Sequence, residues 1–164
     1  MAGPRRAKPA KEGALKGARM LIVEGRYYDA VADALMAGAT RALDAAQVTY
    51  DVVTVPGALE IPQAIVIAFD SRRKRYDGVV ALGCVIRGET SHYDIVAGES
   101  ARALMDIALA RRLPIGNGIL TVDTPAQAKV RSDPEEGDKG GVAATAALAL
   151  IHGQRHFQNP RGEP

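Results

Sequence analysis

Four stretches of the chain are largely apolar, and amphipathic segments separate them. The runs at 19–24, 49–55, 77–86 and 115–122 each have the length of a strand. Met20 to Val23 and Val79 to Leu82 are continuous rather than alternating, as expected of parallel strands covered on both faces. Between 29 and 46, Val31, Leu35, Ala39, Ala42, Leu43 and Ala46 fall on one helical stripe. Segment 61–74 reads as a helix, apolar early and basic late, and the run from Arg72 to Arg75 suits a helix C-terminus. A third helix is predicted over 92–111, with Ile95, Val96, Leu104, Ile107 and Ala108 on its buried side. A short helix over 124–132 and a longer one over 138–156 follow. Strand and helix alternate throughout, which predicts an α/β fold, a three-layer α/β/α arrangement around a parallel sheet. Periodicity leaves the strand order open.

The last helix adds a further expectation. Val142 to Ile151 contains one polar residue, Thr145, in ten. A helix apolar all round is buried on more than one side. In a domain this small, its outer face needs a second subunit, so the chain is expected to form an oligomer.

Length and charge narrow the function classes. A chain of 164 residues is one domain by the usual prior and can bury a core without disulfides or metals. With two Phe, five Tyr and no Trp, that core is aliphatic and alanine-rich. Residues 1–16 carry +4 of a total of +2, so 17–164 carries −2. The division expected is a basic N-terminal tail over 1–16, a solubilising arm, and a single domain over 17–164. Without a basic surplus on the domain, nucleic-acid binding has no electrostatic support. No run approaches a membrane span, and no apolar stretch of a secretory signal precedes Leu21. Cys84, the single cysteine, reads as a buried small hydrophobe and suits a reducing cytoplasm.

Candidate chemistry collects where strands end. Tyr27 follows the first, Glu60 the second and His92 the third, which breaks off at Arg87 and Gly88. In open parallel sheets this edge is where ligands bind, and a helix starting there favours an anion. Asn117 lies within the fourth strand and Arg131 in the helix after it. Each has a plainer alternative. His92 and Glu60 can serve as helix-end groups, Pro56 and Gly57 as a turn, Tyr27 as a half-buried aromatic, and Arg131 and Lys139 as surface charges. His152 and His156 stand at i and i+4, but no third ligand is near, so no metal site is expected. Neither a P-loop nor a dinucleotide fingerprint occurs. A phosphorylated receiver is excluded, because the first strand ends Glu24-Gly25-Arg26 and the third ends Ile86-Arg87.

Three sets of residues together resemble the lumazine synthase family. They are Gly83 to Asp94, Val55 to Pro62, and a C-terminal set: Gly118 to Thr121, Gln127, Ala128, Arg131 and Asp138 to Gly140. The similarity runs from about Arg19 to about Ile151 in the family's order and spacing. It implies a flavodoxin-like sheet of four parallel strands. It also implies condensation of 5-amino-6-(D-ribitylamino)uracil with 3,4-dihydroxy-2-butanone 4-phosphate, the penultimate step of riboflavin biosynthesis, with no metal or organic cofactor. By the same resemblance, Tyr27 stacks on the pyrimidine, where the family commonly has Phe or Trp. Gly57, Ala58 and Glu60 hold the ribityl chain and nearby ring atoms, and Val85 and Ile86 meet the ring through their backbone. Gly88, Glu89 and Thr90 bind the phosphate, Arg131 clamps it from an adjacent subunit, and Lys139 approaches the same substrate. His92 is the proton shuttle. Asp138 replaces an Asn of the family pattern, and Asn117 an aromatic that often lines the pocket. The resemblance further implies a homopentamer, sometimes built into a sixty-subunit shell. The acidic loop Ser132 to Asp138, containing Pro134, departs from the compact loop of shell-forming members and favours the free pentamer. A flavin-binding or storage pentamer on the same scaffold is the alternative.

Overall fold

The computed structural model describes residues 15–71 and 73–159. Its elements are β1 (Arg19–Gly25), α1 (Asp29–Ala45), β2 (Thr49–Val55), α2 (Glu60–Asp70), β3 (Gly78–Ile86), α3 (His92–Arg111), β4 (Ile115–Val122), α4 (Pro125–Ser132) and α5 (Lys139–Gln158). The strands form one parallel sheet in the order β2-β1-β3-β4, and helices cover both faces. This is the three-layer, flavodoxin-like α/β/α arrangement.

Sequence dictates which strands lie inside. In β1 every residue after Arg19 is buried, and in β3 every residue before Ile86. Met20, Ile22, Val80 and Leu82 pack with Leu35, Leu43, Ala147 and Ile151 of α1 and α5. Leu21, Val23, Val79 and Ala81 face the other way, onto Ile61 and Ile65 of α2 and Leu104 of α3. The outer strands are less covered, and Val52 of β2 is 46% exposed. The predicted tail lies outside the described residues except for Leu15 and Lys16. Leu15 is buried in the α1–α5 side of the core, and the Lys16 carbonyl accepts a bond from Arg155.

Two expectations need correction. Helix α2 stops at Asp70, so the basic run is not its C-terminal turn. Arg72 lies outside the described residues. Lys74 instead pairs with Asp51 of β2 at 3.1 Å, and the Tyr76 hydroxyl donates to the same carboxylate at 2.8 Å. These bonds draw the chain back to the sheet edge before β3. Ile95 is 56% exposed, because the buried stripe of α3 runs through Val96, Ser100 and Leu104. A spacing of four residues keeps those three on one face and leaves Ile95 about 100° away.

Helix α5 is seated through small residues. Gly140 lies against the Leu35 carbonyl of α1, and Gly116 of β4 against the Ala143 carbonyl of α5, so a Cβ at either glycine would overlap backbone. Asp138 caps α5 from a left-handed conformation (φ 45°), accepting the Gly141 N–H at 3.2 Å. Arg41 of α1 holds the acidic loop by bonds to Glu135, the Pro134 carbonyl and Asp138. Gly140→Val should therefore force α5 off α1 and cost about 1–3 kcal/mol. Gly153, later in α5, has no atom outside its own helix backbone and chain neighbours within 4 Å of the position a Cβ would take, and Gly153→Ala should gain up to about 1 kcal/mol. Urea unfolding midpoints of the two variants should move in opposite directions.

Candidate active site

The carboxyl ends of β1, β2 and β3 open into one cavity of about 420 Å³. That size suits a small-molecule ligand. After β1, Tyr27 and Tyr28 line it, their rings edge to face with centroids 5.0 Å apart. After β2 comes the stretch from Pro56 to Glu60. From β3 and the turn beyond come Cys84, Val85, Ile86, Gly88 and Thr90, and α3 adds His92, Tyr93 and Val96. Because neighbours along a strand face opposite ways, Cys84 and Ile86 belong to the α1–α5 side. Val85 packs with Ala58 and Val96 on the other. The cavity therefore straddles the sheet edge.

Close backbone approach shapes its floor. A Cβ on Gly25 would lie 2.9 Å from the Gly57 carbonyl carbon, and the Arg26 N–H donates to the Val55 carbonyl at 3.0 Å. A Cβ on Gly57 would lie 3.2 Å from Glu60 Oε2, so this carboxylate folds back over the turn that precedes it. Glu60 opens α2, where a negative charge complements the helix dipole.

The β1–α1 turn carrying Tyr27 is held by Arg26. Its guanidinium contacts buried Glu24 at 3.2 Å, Asp29 at 3.2 Å and Asp33 at 2.6 Å. The bonds to Asp33 and Asp29 raise its pKa further above the usual arginine range. Glu24 also accepts from the Thr54 hydroxyl at 2.8 Å, so its buried carboxylate is fully partnered.

At the start of α3, residues 87–92 are exposed. The Ser91 side chain makes no capping bond, while Thr90 Oγ1 accepts the His92 N–H at 3.3 Å. A helix start left so sparsely capped suits an anion. Arg87 spans this turn. It donates to Asp123 at 3.1 Å and Asp94 at 3.2 Å, and its guanidinium carbon lies 4.0 Å from the centre of the Tyr93 ring.

Of the sequence-predicted residues, Tyr27, Gly57, Ala58, Glu60, Val85, Ile86, Gly88, Thr90 and His92 line this cavity, and four others do not. Glu89 is exposed in the loop before α3. Asn117 is exposed on β4, where its Oδ1 accepts the Ile119 N–H at 3.0 Å. Arg131 is exposed on α4, donating to the Gln127 carbonyl at 3.3 Å, and Lys139 is exposed as the first residue of α5. The lining also includes Tyr28, Pro56, Leu59, Cys84, Tyr93 and Val96, which sequence reasoning does not place in the site. Adjacency to Tyr27 and His92 is the available signal for Tyr28 and Tyr93. Cys84 gives none, because its position inside the strand reads as core. Among the described residues, no group of three or more His, Cys, Asp or Glu is placed to hold a metal ion.

The family model described as 6,7-dimethyl-8-ribityllumazine synthase matches residues 17–155. A 6,7-dimethyl-8-ribityllumazine synthase of Azorhizobium caulinodans is 61% identical over 153 residues, covering 88% of this chain and 94% of the relative. One from Methylobacterium radiotolerans is 64% identical over 138 residues, covering 84% of this chain and 83% of the relative. One from Rhodopseudomonas palustris is 55% identical over 160 residues, covering 96% and 98%.

Burial pushes the Cys84 thiol up to about 11, so it stays protonated at neutral pH although it lines the cavity. A thiol held in that state is a wall and not a nucleophile. At pH 8, iodoacetamide should label Cys84 in the native protein about 100-fold more slowly than a free cysteine of pKa about 8.5. The rate should climb until about pH 11, and denaturant should abolish the protection. Labelling at the free-cysteine rate in native protein would contradict this account.

Proposed function

The chain belongs to the 6,7-dimethyl-8-ribityllumazine synthase family, and from that premise we propose how its cavity carries out the family's reaction. The enzyme condenses 5-amino-6-(D-ribitylamino)uracil with 3,4-dihydroxy-2-butanone 4-phosphate, releasing phosphate and water. The observation that carries the assignment of roles is the meeting of Tyr27, Glu60 and His92, from three different strand ends, in one cavity.

In this reading the pyrimidine stacks on Tyr27, and the backbone of Val85 and Ile86 meets its polar edge. Gly57 and Ala58 border the ribityl chain, whose hydroxyls donate to Glu60. The phosphate of the second substrate sits at the start of α3, against Gly88, Glu89 and Thr90. The pyrimidine amine attacks the ketone, and the carbinolamine loses water to give an imine. Removal of a proton beside the imine then allows phosphate to leave, and the ribitylamino nitrogen attacks the carbonyl that results, closing the ring with loss of a second water. His92, exposed at the first position of α3, gives and takes the protons of these steps. Much of the acceleration comes from holding two substrates together.

The same reading makes the enzyme a homopentamer with sites between subunits. Arg131, Lys139 and Asn117 stand on α4, α5 and β4, away from the cavity of their own chain. A neighbour's edge would bring them to it, with Arg131 as a forked clamp on the phosphate. Apolar side chains support such contact: Leu150 of α5 is 53% exposed and Val142 38%. The acidic loop held by Arg41 favours the free pentamer over the shell. Location in the cytoplasm fits the single unpaired Cys84.

Two experiments test this. In a fluorescence assay of lumazine formation, His92→Ala should lower kcat on the order of 10²-fold yet stay above the spontaneous rate. No acceleration by the folded wild-type protein would leave a flavin-holding pentamer as the better account. In the second, His92→Ala and Arg131→Ala chains, each weakly active alone, are unfolded, mixed in equal amounts and refolded together. If sites form between subunits, about a quarter of them regain both residues and activity rises accordingly. Activity equal to the mean of the separate variants would place each site within one chain.

A further inference from the structure

We infer that Arg87 is a positioning residue for the phosphate end of the site, acting through the first turn of α3. The inference rests on the reading of the cavity given above. Arg87 is the first residue beyond β3, and its N–H donates to the Val122 carbonyl at 2.9 Å, continuing the β3–β4 register one step past the strand. Its side chain then reaches in two directions. Nε binds Asp123, directly after β4, at 3.1 Å, and Nη1 binds Asp94, in the first turn of α3, at 3.2 Å. The face of the same guanidinium lies 4.0 Å from the centre of Tyr93, which lines the cavity.

The turn it spans has few other supports. Residues 88–91 are exposed, and beyond its chain neighbours no atom lies within 4 Å of a Cβ position on Gly88. Among the described residues, the one side-chain bond within the turn runs from the His92 N–H to Thr90 Oγ1. Tyr93 and Val96 pack against Val85 and seat the body of α3 on the sheet, but no packing holds Gly88 and Thr90 in the exposed stretch between. Arg87 sets the span of that stretch, by tying its two ends, β3 and Asp94, to each other and to the end of β4. With both carboxylates beside it, its charge is already answered, so it orients the turn and is not itself the phosphate ligand. Asp123 connects onward, since its N–H donates to Gln127 Oε1 at 2.9 Å. The brace thus joins the starts of α3 and α4.

Exposed ion pairs add little to global stability, whereas a displacement of about 1 Å at a reacting group can cost on the order of 10²-fold in rate. The two effects should separate. For wild type, Arg87→Gln, Arg87→Lys and Asp94→Asn, the assay would measure kcat, the KM for each substrate and the melting temperature. Arg87→Gln should raise the KM for the butanone phosphate about tenfold and lower kcat, with the KM for the pyrimidine within about twofold. Its melting temperature should stay within a few degrees of wild type. Arg87→Lys keeps the charge but loses the planar fork and should fall between. Asp94→Asn should shift the same KM in the same direction, and it carries the test if Arg87→Gln does not fold. Unchanged kcat and KM values in folded Arg87→Gln or Asp94→Asn, with active wild type, would overturn this inference alone. An inactive wild type would overturn the reading of the cavity and this inference with it.

Discussion

Burial of β1 and β3 on both faces is the constraint from which the rest of the molecule follows. Two adjacent strands buried along almost their whole length must be covered by helices above and below, so the chain crosses over between successive strands. Each crossover leaves from a carboxyl end. The loops after β1, β2 and β3 therefore meet at that one edge, around the cavity. Among the described residues, Glu24 is the charged side chain that stays inside. It is 5% exposed, and it is tolerated because Thr54 and Arg26 satisfy its carboxylate. Its partner Arg26 also grips Asp29 and Asp33, so the cost of one buried charge is offset by fixing the turn that presents Tyr27.

Rigid parts of the edge and open parts of it are built differently. Between β1 and β2 the backbone itself closes the gap, since Gly25 and Gly57 approach too closely for a side chain at Gly25. Beyond β3 the chain runs exposed from Arg87 to His92, and side-chain bonds span it instead. The first kind suits a flat ring system that must be held in one place. The second suits an anion that arrives from solvent and leaves again, because a helix start with little side-chain capping can exchange water for phosphate oxygens. In the proposed reaction these are the fixed substrate and the one that loses phosphate.

Much of the fold is legible in the sequence because apolar runs and helical stripes coincide with elements to within a residue or two. The exceptions have local causes. The end of α2 is hidden because Arg73, Lys74 and Arg75 are acceptable helix residues. What ends the helix is a contact with Asp51, distant in sequence. Ile95 is misplaced by its neighbour Val96, and only the spacing through Ser100 to Leu104 identifies the buried stripe. At the site, residues with chemistry of their own, His92 and Glu60, stand out at strand ends. Cys84 and Val96 do not, because a wall residue is recognised by what it faces and not by its type. The brace made by Arg87 depends on Asp123, brought beside it by the pairing of β3 with β4, and so cannot be read from either segment separately.

The separation of the candidate residues is itself informative about catalysis. The cavity of one chain offers an aromatic surface, a carboxylate, an imidazole and a helix start, but Arg131 and Lys139 lie elsewhere. Those within the cavity suffice to hold a pyrimidine and move protons. A phosphate dianion beside Glu60 and Glu89 would still lack a cation, because Arg87, the arginine nearest in sequence, is engaged by Asp94 and Asp123. An anion at such a site needs positive charge from another source. Exposed apolar residues on α5 and exposed cations at the end of α4, Lys129 and Arg131, and at the start of α5, Lys139, occur on the same side of the sheet. Association through that side would supply cation and contact together, so assembly and phosphate binding would be one event rather than two.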